Sequence, residues 1–103
     1  MYIEVKILPN HRPTPAGKLA DAEIHFIGGE LAGLKLIGFG IWTRRDGNGR
    51  SVTFPARQFV IHGDTRNFAL LRAIDNPNAQ NRVRELVLQA YIEHENEAVE
   101  AVV

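Results

Sequence analysis

Ile37-Gly38-Phe39-Gly40-Ile41-Trp42-Thr43-Arg44-Arg45-Asp46-Gly47-Asn48-Gly49-Arg50-Ser51-Val52-Thr53-Phe54 is the stretch that decides the fold. Asp46-Gly47-Asn48-Gly49 is a strong hairpin signal, because glycine, asparagine and aspartate tolerate the backbone angles of a tight reversal. Before it, Ile37, Phe39 and Ile41 fall on one face of an extended chain, with Gly38 and Gly40 opposite them. Glycines inside a strand mark a bulge or the close approach of another backbone. After it, Ser51–Phe54 reads as the returning strand, ended by Pro55, which lacks an N–H for the ladder. A long central hairpin is therefore the organising element.

Upstream, Tyr2–Leu8 alternates Ile3, Val5 and Ile7 against Glu4 and Lys6, the period of a half-buried strand. Pro9–Gly17 holds three prolines and reads as a loop. Leu19–Ile27 alternates again, with Ala20, Ala22, Ile24 and Phe26 on one face, and Gly28-Gly29 turns the chain. Downstream, Phe59–Ile61 reads as a short extension before a Gly63-Asp64 turn. Asn67–Ile74 reads as a last strand, although Phe68–Leu71 equally suits the start of a helix.

The C-terminal element reads more clearly. Asn76 is a favourable N-cap, and Pro77 sits where a missing N–H costs nothing. Val83, Leu86, Val87, Ala90 and Tyr91 draw an apolar stripe, leaving Arg84, Glu85, Gln89 and His94 toward water. Beyond Glu95 apolar residues thin out, and 96–103 is expected to fray. The expected fold class is α+β: an antiparallel sheet of about five strands followed by one C-terminal α-helix packed on it. Residues 1–103 have room for one domain.

Composition narrows the function. With no cysteine, the chain has neither a disulfide framework nor a thiolate metal site. Without a basic, apolar leader or a membrane-length apolar run, it is expected to be cytoplasmic, with no membrane partner. Ser51 is the only serine and lies in an expected strand, and His11, His25, His62 and His94 are scattered singly. Carboxylate pairs and phosphate-loop glycines are likewise explained as surface and turn residues. The expectation is a protein that is not an enzyme and uses no cofactor or metal.

Net charge is zero, but unevenly spread. Residues 35–84 carry nine bases against three acids, eight of the bases being arginine, whereas 85–103 carry five glutamates and no base. Arginine suits planar, bidentate contact with phosphate. The alternative is a solvated surface with scattered ion pairs. The helix start is unusual too: Gln80, Arg82 and Arg84 crowd its first turns, where the dipole favours acids or a bound anion.

Three segments in order carry a family resemblance: Gly17-Lys18-Leu19-Ala20-Asp21-Ala22, then Phe54-Pro55-Ala56-Arg57, then Asn76 with Arg82-Val83 through Val87-Leu88 and Tyr91. Together they resemble the stage V sporulation protein G (SpoVG, septation protein) family over about residues 2 to 94, as a divergent member. The central hairpin is longer than the family's, Ala56-Arg57-Gln58 keeps one base where the family tends to have two, and Gln80 replaces a frequent base. The resemblance implies a bacterial homodimer paired through sheet edges that binds DNA or RNA and acts in gene regulation or septation. By position it assigns Arg57 and Arg82 to nucleic-acid contact. Charge alone adds Arg84 and the hairpin residues Arg44, Arg45 and Arg50. A competing expectation is a protein-interaction module using a free sheet edge or the apolar 34–42 strand.

Overall fold

A computed structural model describes residues 2–102, with side chains through residue 98. Its elements run β1 (Ile3–Pro9), β2 (Lys18–Phe26), β3 (Lys35–Thr43), β4 (Arg50–Thr53), β5 (Ala56–Ile61), β6 (Asp64–Ala69) and α1 (Asn78–Val102). The class is α+β, with every strand pairing antiparallel. The strands divide into a four-stranded meander, β1-β2-β3-β4, and a separate two-stranded β5-β6 arm. Among the described residues no helix is long and apolar enough to cross a membrane.

One face of the meander carries the core. Ala20, Ala22 and Ile24 of β2, Phe39 and Ile41 of β3, and Val52 of β4 are buried beneath Val87 and Tyr91 of α1. Ile3, Val5 and Ile7 extend this face along β1, half-buried. The turn chemistry explains the central hairpin: Asp46 Oδ1 accepts from the Asn48 N–H at 2.9 Å, and Gly47 and Gly49 take positive φ. Strands β3 and β4 pair from Thr43 and Arg50 inward.

The expected face of β3 is corrected by a bulge. Ala22 and Ile24 of β2 stand opposite Phe39 and Leu36 of β3, so β3 carries one extra residue there. Gly38 absorbs it at φ 108°. The extra residue reverses the alternation, leaving Ile37 60% exposed while Phe39 is fully buried. A Cβ at Gly38 would lie 3.1 Å from Pro55 Cβ and 3.3 Å from its Cα. Gly40 answers to a different crowding. Trp42 Nε1 donates to Thr53 Oγ1 at 3.0 Å across the place a Gly40 side chain would fill.

At Pro55 the chain leaves the meander, and the Leu70 N–H returns to the Pro55 carbonyl at 2.8 Å, closing the root of the arm. The final strands differ from expectation. β5 already begins at Ala56, and β6 occupies Asp64–Ala69 rather than Asn67–Ile74. The turn is His62-Gly63, both at positive φ, between paired Ile61 and Asp64. No arm residue is buried, and only Ala69 reaches half-burial. The radius of gyration is 15.3 Å, against about 13 Å for a compact chain of this length.

Helix α1 begins as read: Asn76 Oδ1 accepts from the Asn78 N–H at 3.0 Å. Its buried line is Val83, Val87 and Tyr91, with Leu88 beside it. Leu86, expected in the stripe, is 48% exposed, on the side of α1 that lines a cleft with β1. Residues 96–102, expected to fray, continue the helix, and Val103 lies outside the described residues.

Gly38→Ala is expected to cost about 1–3 kcal/mol, from positive-φ strain with Pro55 in the way. Gly33→Ala, also at positive φ but with nothing within 4 Å, should cost less. Denaturant unfolding of both variants checks the order. Equal costs would mean that the Pro55 contact carries no weight.

Candidate nucleic-acid interface

The arm builds its chemistry from a repeated tripeptide. Arg57-Gln58-Phe59 on β5 and Arg66-Asn67-Phe68 on β6 share the order arginine, amide, phenylalanine. Antiparallel register sets Arg57 opposite Phe68 and Phe59 opposite Arg66. Because i and i+2 share a face, two rings and two guanidinium groups form a checkerboard on one side of the ribbon. The rings meet edge to face, with centroids 5.1 Å apart, and the Arg57 guanidinium lies 4.8 Å over Phe59. Each ring is 37% exposed.

Arg57, Phe59, Ile61, Phe68, Leu70 and Arg72 border a hollow of about 600 Å³. Arg72 is held there by its Nε–H, which donates to the Ala69 carbonyl at 3.0 Å. Among the described residues Arg57, Arg66 and Arg72 form no ion pair. The only acid in the arm is Asp64, next to its turn. Sequence reasoning found Arg57 but missed Arg66, Arg72 and both rings. The Arg-x-Phe repeat was the available signal, masked by starting the expected strands at Phe59 and Asn67, which leaves Arg57 and Arg66 outside them.

The other candidates fall elsewhere. Arg84 is half-buried, its guanidinium 5.1 Å over the Phe54 ring and hydrogen-bonded to Asn81 Oδ1 at 2.6 Å. It lies against the Phe54 ring just beyond β4 and stays partly exposed. Arg82 is exposed two residues before it, and Arg44 and Arg45 are exposed at the β3–β4 turn. Arg50, also a candidate, is paired: its Nη2 meets Glu95 Oε2 at 3.3 Å, and its Nε is buried without a partner. Phe54 and Arg50 thus engage α1 at Arg84 and Glu95, about 16 Å apart along the helix. The six arginines split into a group at the Pro55 end (Arg57, Arg82, Arg84) and one at the hairpin turn (Arg44, Arg45, Arg50). The helix N-terminus is served internally too, with Asn76 capping it and Gln80 Nε2 donating to the Leu71 carbonyl at 3.2 Å.

The solvent face of the meander holds a carboxylate with a shifted titration. Glu23 accepts from Lys35 Nζ at 2.9 Å and lies 3.8 Å from His25 Nε2. The Lys35 hydrogen bond, opposed by desolvation, holds its pKa below the ordinary 4.5. Near the Arg50–Glu95 pair, burial and then the Glu95 charge push the Tyr91 hydroxyl upward. No group of three or more histidine, aspartate or glutamate side chains converges as a metal site among the described residues.

Two measurements follow. Because the folded pKa of Glu23 is depressed, its stabilising contribution is complete above the ordinary carboxylate value and is lost as pH falls through the folded one. A stability–pH comparison with Glu23→Gln should therefore converge on acidification, and Lys35→Gln should raise the Glu23 titration seen by NMR. Arg50→Gln should cost about 1 kcal/mol or less, as for a partly exposed pair, and leave affinity for a labelled oligonucleotide unchanged. A large loss of affinity would return Arg50 to the binding surface. Compared with models of known protein families, with curated proteins and with solved structures, the chain matches none.

Proposed function

We propose that this chain is a small nucleic-acid-binding regulatory protein that holds DNA or RNA against the β5-β6 arm. The observation that carries the reading is the checkerboard of Arg57, Phe59, Arg66 and Phe68, with Arg72 beside it and Asp64, at the tip end of the same face, as the arm's one acid. Guanidinium groups supply phosphate contact, and half-exposed rings offer apolar faces to bases or sugars. An isolated two-stranded ribbon is marginal in water, so a ligand along the arm would also supply the packing that it lacks.

The resemblance to the stage V sporulation protein G family supports the same surface. Its Phe54-Pro55-Ala56-Arg57 segment forms the root and first residues of the arm, and the matched Arg82 lies exposed at the start of α1. A role in gene regulation or septation belongs to this proposal. So does pairing of two copies through sheet edges, for which the outer edge of β4 is open among the described residues.

Fluorescence anisotropy with a labelled 20-nucleotide strand and its duplex tests the reading. Three arginines neutralising phosphates give a log–log salt slope of about −2 on the single strand and nearly −3 on the duplex. Arg57→Glu with Arg66→Glu should abolish most binding while the circular dichroism melt stays near that of the parent. Unchanged affinity in the double variant would remove the arm from the interface.

A further inference from the structure

We propose that the cleft between β1 and α1 is a docking groove for an extended segment of another protein, apolar at one end and basic at the other, which adds as a strand to the free edge of β1. This surface is separate from the arm and opposite in charge, and the inference does not rest on the nucleic-acid reading.

The cleft has a volume of about 600 Å³, and its β1 wall is the five consecutive residues Ile3 to Ile7. Consecutive residues point alternately to the two faces of a sheet, so a cleft touching all five opens onto the backbone edge. Among the described residues that edge is unpaired, because β1 pairs with β2 alone. An unpaired row of N–H and C=O groups is a template for one more strand.

The opposite wall is α1, from Leu86 to Glu97. Leu86, on this side of α1, is 48% exposed to the cleft. The lengths agree. Ile3 to Ile7 span about 13 Å of strand, and Leu86 to Glu97 about 16 Å of helix. An occupant of about five residues in the paired part fits both.

Charge selects the occupant. Along α1 the wall passes from Leu86 and Ala90 to Glu93 and Glu97. Glu93 accepts only from the neutral Gln89, at 3.3 Å. Among the described residues neither glutamate meets a cation. The lining holds one lysine, Lys6, which is 3.1 Å from Glu4, and one histidine, His94, against three glutamates. A strand laid on β1 turns alternate side chains toward α1. Those meeting Leu86 and Ala90 gain from being apolar, and those meeting Glu93 and Glu97 from being basic. A polyanion is repelled here, so the groove and the arm take different partners.

The probes are the capped octapeptide Thr-Val-Thr-Val-Thr-Lys-Thr-Lys and its reverse-order version, because a strand can pair in either direction. In titrations of isotope-labelled full-length protein, one of them should bind saturably and shift the amide resonances of Ile3 to Ile7. N-methylation of alternate peptide amides, which removes the edge hydrogen bonds, should weaken binding about tenfold or more. Glutamates in place of the peptide lysines should do the same, as should Glu93→Lys with Glu97→Lys in the protein. Those helix residues are exposed, so the double variant should keep its parent's melting curve and its oligonucleotide affinity. The proposal is overturned if neither peptide shifts the β1 amides, if shifts gather on the arm or β4, or if N-methylated peptide binds equally. It is also overturned if peptide-free protein sediments as a dimer with β1 amides protected, since a second copy would then fill the groove.

Discussion

The contact between Gly38 and Pro55 governs how the rest of the molecule is disposed. Pro55 has no N–H to continue the β4 ladder, and it packs where a side chain on β3 would otherwise stand. The bulge that puts glycine at that point also turns Phe39 and Ile41 inward beneath α1 and leaves Ile37 in solvent. One irregularity therefore does two things. It completes the buried face, and it sends the chain out of the meander into a free ribbon.

The charge separation seen in the sequence becomes spatial through this arrangement. The basic middle contributes the arm, with Arg57, Arg66 and Arg72 unpaired among the described residues. The acidic end contributes the second half of α1, with Glu93 and Glu97 beside the β1 edge. The two regions meet directly at one pair, Arg50 with Glu95, and that contact is structural: it ties the start of β4 to the helix that covers it. A protein of zero net charge thus presents two surfaces of opposite sign.

Much of the fold was legible because its signals are local. Asp46-Gly47-Asn48-Gly49 marked its hairpin by turn chemistry, and Asn76-Pro77 marked the helix start by capping. What failed was counting. Period-two reasoning placed Ile37 with Phe39, and a single inserted residue reversed it. The same limit hid the arm, whose meaning depends on Arg57 standing opposite Phe68, a register that is visible only once the His62-Gly63 turn is placed. The Arg50–Glu95 pair was not legible because its partners lie 45 residues apart in sequence. The stacking of Arg84 on Phe54 was not legible because it carries no charge signature.

The ribbon's alternation also limits how such a protein could diversify. A residue added in register to each strand lengthens the arm while sending the next side chains to the opposite face, so extension in steps of two is what repeats the same face. A deletion in one strand alone would split each arginine from its ring. Between Pro55 and Leu70, therefore, reach could change in paired increments with the body untouched, and descendants of this sequence could track longer or shorter partners while keeping one unaltered core.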